Sequence, residues 1–380
     1  MIKAKDPRGP WSPMVLVKEG KGLIDACPLW DEDGRAYIVH AFAGSRAGMK
    51  SVLAVFEMSP DGTKAISESR LVFDGHPFHT TVEGAKFYKH NGYYYIFAPA
   101  GGVKPGWQLA MRSKNVYGPY EEKIVLANPV NWINDWPVMG VDKDGDGCGE
   151  PVNVYEKPAV GKTYPIATPV ESDEFDGQTL GLQWQWQANS NPLWYFPAGN
   201  KGYLRLFAWQ LSGEAKNLWD APALLLQKFP APDFKATTKL TFQPYKKGER
   251  AGLVVMGQDY AAVTIDSVDN GLSFNFVSVK NALSGKPETV HASIPVKERT
   301  VYFRVEVKQT SALNKEKIQQ PKANCTFSYS LDGKKFTIIG DNFAAWEGKW
   351  IGAKVGIFCQ RPQWLNDSGY ADFDWFRVEK

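Results

Sequence analysis

Apolar and polar residues alternate along most of this chain in short runs closed by Gly, Asn, Asp or Pro. Examples are RAYIVHAF (35–42), SVLAVFEM (51–58), YYYIFAPA (93–100), YLRLFAWQ (203–210), AGLVVMGQ (251–258), LSFNFVSV (272–279), TVYFRVEV (300–307) and CTFSYSLDGKKFTII (325–339). A period of two puts one side of each run in a core and the other toward solvent, as a half-buried strand requires. No long window carries a period near 3.6, so the pattern predicts an all-β protein.

A repeat is visible in the first third. GPWSPMVLV (9–17) returns as GPYEEKIVL (118–126), and DGRAYIVHAFAG (33–44) is echoed by NGYYYIFAPAGG (91–102). Each unit reads turn, aromatic strand, Gly-containing loop, second strand, which is how a propeller blade reads. A blade cannot bury both faces alone and needs neighbours.

The composition then shifts. DKDGDGCGEP (142–151) and EKPAVGKTYPIATPVESDEF (156–175) are rich in Pro, Gly and charge. This divides the chain into a propeller-like part at 1–154, a linker at 155–171 and a strand-rich module at 172–380. The module opens on DEFDG and closes on YADFDWFRVEK, and it suits a two-sheet sandwich whose first and last strands pair.

The chain has 380 residues, 43% hydrophobic and 22% charged. Aromatics reach 13%, with 14 Trp, enough to fill large cores and still line a sugar cleft. Its net charge is +3 with the signs well mixed, which excludes a basic nucleic-acid surface as the organising feature. No apolar run has transmembrane length, and MIKAKDPRGPW lacks the apolar centre of a signal peptide. Cys27, Cys148, Cys325 and Cys359 show no CxxC spacing, so neither zinc nor a dense disulfide framework is indicated. Cys359, in VGIFCQ, reads as a buried free thiol.

Two carboxylates occupy equivalent places in the repeats. Asp25 lies in LIDACPLWDEDGRAYIVHAF and Glu83 in TVEGAKFYKHNGYYYIFAPAGG, each before a turn and an aromatic strand. Equivalent positions of neighbouring blades converge toward one axis, so both side chains are expected at one pocket. One protonated acid and one ionised carboxylate are what glycosidic bond cleavage needs. Acidic residues before turns also arise as simple loop chemistry. Trp107, after a Gly-rich loop, is a candidate stacking platform for a sugar ring. Arg112 is a candidate for binding vicinal hydroxyls, and His79 for touching sugar hydroxyls. His40, His76 and His90 lie near the same expected cleft. DKDGDG offers Asp142, Asp144, Asp146 and then Gly147, the opening of a calcium loop, but its twelfth position is Asn153 where an EF-hand needs Glu. Glu174 and Asp372, near the two ends of the sandwich with Asp173 and Asp374, are candidate ligands of a structural calcium.

The order of LIDACPLWDEDGRAYIVHAF, TVEGAKFYKHNGYYYIFAPAGG and GWQLAMRSKNVYGPY resembles glycoside hydrolase family 43. The resemblance runs over nearly the whole chain. It implies a five-bladed β-propeller followed by the concanavalin-like β-sandwich of the xylosidase-like branch. It further implies an inverting hydrolase of xylan- or arabinoxylan-derived oligosaccharides, a β-xylosidase or α-L-arabinofuranosidase. By position, Glu83 would be the general acid and Asp25 the residue that tunes its pKa. No catalytic cofactor, nucleic acid or membrane is implied, and members are often periplasmic or secreted. The tuner motif reads IDA where the family has IDP, and the acid motif EGA where it has EGP. The family's general base, an Asp in a first-blade motif, has no clear counterpart. Asp6, in AKDPRGPWS, precedes a blade-end GPW turn and reads as a loop residue. Blades are expected to be missing before residue 1 and after 127, so the propeller is expected to be incomplete and to self-associate through its open edges. An inactive, carbohydrate-binding homologue is the alternative reading.

Overall fold

A computed structural model describes the chain except residues 103–105, 126–129, 147–148, 151, 153, 155, 157–158, 166, 199–200, 314–318 and 363–365. Cys148, Gly147 and Asn153 therefore lie outside the described residues. The chain forms two compact units, Met1–Thr163 and Tyr164–Lys380.

The first unit is built from two antiparallel meanders of the propeller-blade type. One sheet contains β1 (Leu23–Trp30), β2 (Ala36–Phe42), β3 (Val52–Met58) and β4 (Arg70–Asp74), in that order. The other contains β5 (Lys86–His90), β6 (Tyr93–Ala100), β7 (Trp107–Ser113) and β8 (Glu121–Val125), again in sequence order. A hairpin of β9 (Val130–Ile133) and β10 (Trp136–Met139) follows. The alternating residues do what their period requires. Tyr37, Val39, Ala41, Leu53 and Val55 of the first sheet share one core with Phe87, Ile96, Ala98, Leu109 and Met111 of the second. The initial strands β1 and β5 touch directly, because the Phe87 N–H donates to Cys27 Sγ at 3.4 Å.

The opening residues repeat the outer edge of the second sheet. Gly9 N–H donates to Asp6 O at 2.8 Å and Gly118 N–H donates to Asn115 O at 2.9 Å. In both turns a positive-φ glycine leads into a cis Gly–Pro bond. The ring of the aromatic that follows, Trp11 or Tyr120, lies about 3.1 Å from where a Cβ on the glycine would sit, a tight approach.

The second unit is a two-sheet sandwich. One sheet runs through the strands Gln185–Trp186, Leu224–Lys228, Lys354–Arg361, Arg250–Met256, Tyr260–Val268, Gly271–Val279 and Thr289–Val296. The other runs through Tyr195–Pro197, Leu204–Phe207, Tyr370–Glu379, Phe234–Gln243, Thr300–Leu313, Gln319–Ser330 and Thr337–Ile338. Phe234, Ala236, Leu240 and Phe242 pack against Ala251, Leu253, Val255 and Ile357 in a single core. The two ends of the module meet, since Asp173 and Phe376 exchange backbone hydrogen bonds of 2.7 and 2.8 Å. Cys325 and Cys359 are buried free thiols.

Candidate active site

The site assembles where β1 begins and where the segment before β5 turns. In β1 the ladder to β2 is interrupted between Ile24 and Cys27. Asp25 sits in that bulge with φ +55°, a left-handed conformation that Asp tolerates better than most residues. The bulge lifts Asp25 out of the strand's alternation and leaves it exposed. Its Oδ2 accepts the N–H of Gly84 at 2.9 Å, which ties the first sheet to the residue immediately after Glu83.

Glu83 is fixed by backbone on every side. Its own N–H donates to Pro99 O at 3.1 Å, and Gly101 N–H donates to Thr80 O at 2.8 Å. Thr81, at φ +60°, donates its N–H to Ser51 Oγ at 2.7 Å. Gly84 has φ +66°, and a Cβ there would come within 3.1 Å of Pro99 Cγ. Ala85, where the family motif has Pro, is fully buried. Glu83 is half-buried. Burial raises its carboxyl pKa above the usual carboxylate range, the charge of Asp25 raises it further, and Lys50 opposes both. Among the described residues, Asp25 is the one carboxylate whose charge bears on it.

His79 is buried at the same end of the second sheet. Trp107 donates its indole N–H to His79 Nδ1 at 3.1 Å, so Nδ1 is an acceptor and the ring proton sits on Nε2. That Nε2–H donates to Glu122 Oε1 at 3.2 Å. Trp107 pairs with Ala100, one residue from the Pro99 carbonyl that holds Glu83. Asp25, Glu83, His79 and Trp107 are thus brought to one end of the unit, with the polar edge of Trp107 spent on His79.

Arg112 is not brought there. It pairs with Tyr95 in the other half of β7, roughly 16 Å along the strand from Trp107. Its guanidinium donates to Asn134 O and Asp135 O, both at 3.1 Å, and to Glu121 Oε2, and it stacks over Trp136 at 4.1 Å. It anchors the β9–β10 hairpin. The other histidines are also spent elsewhere. His40 is buried against Ser69, His76 pairs with Asp74, and His90 stacks on Trp132.

Asp6 is the structural counterpart of Asn115. Its Oδ1 accepts the N–H of Arg8, two residues on, as Asn115 Oδ1 accepts that of Tyr117, both at 2.9 Å. The Arg8 guanidinium also grips both Asp6 oxygens, and its hydrogen bonds hold the carboxyl below the usual range. Asp6 shapes a turn.

The carboxylates considered as calcium ligands in the sandwich are not brought together either. Glu174 accepts a two-pronged bond from Arg377 at 2.7 and 2.8 Å, and Asp372 accepts another from Arg205 at 2.7 and 2.9 Å. Each guanidinium occupies both oxygens of its partner and neutralises it. Among the described residues, the cluster whose geometry suits a cation is Asp142, Asp144 and Asp146, with ligand atoms within 4.8 Å of one another.

Two features escaped the sequence reading. The first is Asp31, buried at the other end of β1, which accepts from Lys89 Nζ and Tyr94 OH of the second sheet. It had the look of an ordinary turn residue in WDEDG. The second is the pair Lys50 and Lys86: the Lys50 ammonium reaches the Thr81 hydroxyl, two residues before Glu83, and the Lys86 ammonium reaches the Gly84 and Ala85 carbonyls just after it. No motif marks them, because left-handed residues at Ser51 and Thr81 create the approach.

The comparisons with known proteins follow this architecture. The family model described as Glycosyl hydrolases family 43 matches residues 1–131, and the one described as Beta xylosidase C-terminal Concanavalin A-like domain matches residues 172–379. A putative beta-xylosidase of Xylanibacter ruminicola is 31% identical over 94% of this chain and 68% of its own length. A beta-xylosidase of Formosa agariphila is 29% identical over 99% of this chain and 73% of its own length. The solved structure of a xylan beta-1,4-xylosidase from Bacillus halodurans superposes with a TM-score of 0.78 at 20% identity, covering 100% of this chain and 80% of that one, which shows the shared fold. The chain belongs to glycosyl hydrolase family 43, with a blade-type propeller unit followed by the family's concanavalin-like sandwich.

Proposed function

We propose that the chain hydrolyses the terminal glycosidic bond of xylan-derived oligosaccharides, releasing xylose or arabinose, with Glu83 as general acid and Asp25 as the group that tunes it. The observation that carries this reading is the Asp25–Gly84 hydrogen bond. It holds a carboxylate of one sheet against the backbone beside the acid on the next. Half-burial and the charge of Asp25 favour the protonated form of Glu83, which a proton donor working near neutral pH needs. The relatives named as beta-xylosidases and as an alpha-L-arabinofuranosidase support this substrate class.

The bond between the anomeric carbon and the leaving oxygen breaks as Glu83 gives that oxygen its proton. Water attacks the anomeric carbon from the opposite face and loses a proton to a base, and the configuration inverts. Asp25 takes no part in the proton transfer. It keeps the proton on Glu83 before the step and orients the loop that carries it. Neither Asp25 nor the turn-bound Asp6 serves as the base in this reading.

The test is hydrolysis of xylobiose and of 4-nitrophenyl β-D-xyloside and α-L-arabinofuranoside by the chain and by Glu83→Gln. Xylobiose has a poor leaving group and depends on the acid, so Glu83→Gln is expected to lose roughly 10²–10⁴-fold on it. Nitrophenolate leaves with little help, so the aryl glycosides should lose far less. Equal losses on both, or none, would remove Glu83 from the acid role. No release from any of the three would overturn the hydrolytic reading for this chain.

A further inference from the structure

Two lysines flank the proposed acid in a way its proton-donating role does not need. Lys50 Nζ reaches Thr81 Oγ1 at 3.5 Å, two residues before Glu83. Lys86 Nζ donates to Gly84 O at 3.1 Å and to Ala85 O at 3.4 Å, immediately after it. Both side chains are exposed, and among the described residues neither ammonium has a carboxylate partner. Elsewhere in this unit Lys89 is tied to Asp31, Lys18 to Glu68 and Lys143 to Glu150. Lys5, Lys21, Lys64 and Lys114 likewise have no carboxylate partner among the described residues; what sets Lys50 and Lys86 apart is their place beside Glu83.

A positive charge beside a general acid works against it, since it favours the ionised carboxylate, and Lys50 acts on Glu83 in that direction. Neutral xylose or arabinose gains little from an ammonium group that a hydroxyl-rich loop could not give. The arrangement makes sense if an anion arrives with the substrate. Beside the acid itself, the side chains of Asp25, Lys50 and Lys86 sum to one formal positive charge around the loop. A general acid protonates the leaving-group oxygen, so groups on its flanks face the sugar on that side of the scissile bond.

We propose that Lys50 and Lys86 form a subsite for a carboxylate carried by the substrate, so that the enzyme favours uronate-substituted oligosaccharides over neutral ones. This rests on the placement of the substrate at Asp25 and Glu83 given above. The ammonium groups are point charges on long stems, suited to a carboxylate at variable position more than to one fixed bidentate geometry. Bound carboxylate would also cancel the pull of Lys50 on Glu83.

The test is calorimetric binding of xylotetraose and of glucuronic-acid-substituted xylotetraose to the Glu83→Gln chain, with hydrolysis of both by the unaltered chain. The acidic compound should bind roughly five- to tenfold tighter at low salt. That preference should shrink in 0.5 M NaCl, as a screened ion pair must. Lys50→Gln and Lys86→Gln should each reduce the ratio, whereas Lys64→Gln, an exposed charge in another loop, should leave it alone. Equal binding of the two compounds, binding of neither, or a preference untouched by both substitutions would overturn the subsite. Charge-selective binding without hydrolysis would sink the hydrolytic reading and keep the subsite. Hydrolysis without selectivity would do the reverse.

Discussion

Asp31 holds the two sheets together at the end opposite the acid, and its loss should be felt in stability and in activity. Its side chain is 1% exposed and accepts from Lys89 Nζ, Tyr94 OH and the Glu32 N–H, the last at 2.7 Å. Asp31→Ala removes three hydrogen bonds to a buried charge; the two from side chains, Lys89 and Tyr94, are each worth about 1.5–3 kcal/mol. It also leaves the Tyr94 hydroxyl and a partly covered ammonium without an acceptor. Lys89 is 23% exposed and regains some hydration, so the lower part of the range applies to it. The total is about 3–5 kcal/mol. For a unit of the size of Met1–Thr163, each kcal/mol moves the melting point by about 2–4 °C, so its transition should fall by roughly 10 °C. Scanning calorimetry of the whole chain reads this, with peptide-resolved hydrogen exchange assigning each transition to a unit. Asp31→Asn keeps the shape without the charge and should fall less. The pH dependence has a definite sign. Burial acts to raise the Asp31 pKa, but hydrogen bonds from Lys89, Tyr94 and Glu32 outweigh it and leave it below its ordinary value of 3.8. The charge therefore contributes its full stability above that value, and the contribution fades as pH falls toward the folded pKa. The gap between Asp31→Asn and the unaltered chain should narrow below about pH 4. A melting point for Asp31→Ala within about 3 °C of the unaltered chain would refute the clamp, since that corresponds to roughly 1 kcal/mol.

Three further outcomes are expected. Gly84→Ala forces a side chain into a left-handed position against Pro99, and should cost about 1–2 kcal/mol and lower kcat by displacing Glu83; unchanged kcat and melting point would contradict the packing at this loop. Arg250→Met leaves Glu288 buried without its cation after losing bonds of 2.6 and 2.8 Å, with only the Tyr260 hydroxyl still donating to it, so the sandwich transition should drop by about 3–5 kcal/mol while that of Met1–Thr163 stays in place, as calorimetry can check. Glu83→Gln should stabilise its unit near neutral pH and cease to do so in acid, because a carboxyl whose folded pKa is raised above 4.5 costs stability as pH rises through that window; thermal melts from pH 3 to 8 would reveal the opposite slope if burial did not act this way.

The strands were largely legible because burial on one face writes a period of two into the sequence. RAYIVHAF became β2, SVLAVFEM became β3 and YYYIFAPA became β6. β1 was less legible, since LIDACPLW carries a bulge at Asp25 and has no fully buried residue to mark its alternation. The concanavalin-like sandwich was visible as strands, while its ion pairs were not. The partner of Glu174 is 203 positions away and that of Asp372 is 167 away, so two carboxylates that looked like calcium ligands were in fact answered by arginines. At the site, Asp25 and Glu83 stood out by their equivalent places in a repeat. What surrounds them depends on left-handed residues at Asp25, Ser51 and Thr81, and local composition does not announce such conformations at non-glycine positions. Arg112 shows the same limit from the other side. A sequence places it in the strand after Trp107, but only the register shows that the two lie at different ends of it.

Burial and the charge of Asp25 raise the Glu83 carboxyl above its ordinary range, as a proton donor requires. The most direct measurement is its own titration, followed through the side-chain carboxyl by carbon NMR with selectively labelled glutamate and assigned with Glu83→Gln. The signal lost in Glu83→Gln should titrate above the ordinary glutamate value of 4.5 in the unaltered chain and move down in Asp25→Asn, where the neighbouring charge is gone but the amide oxygen can still accept from Gly84. A Glu83 carboxyl that titrates at or below 4.5 in the unaltered chain, or that ignores the loss of the Asp25 charge, would contradict the assignment of these two residues as acid and tuner.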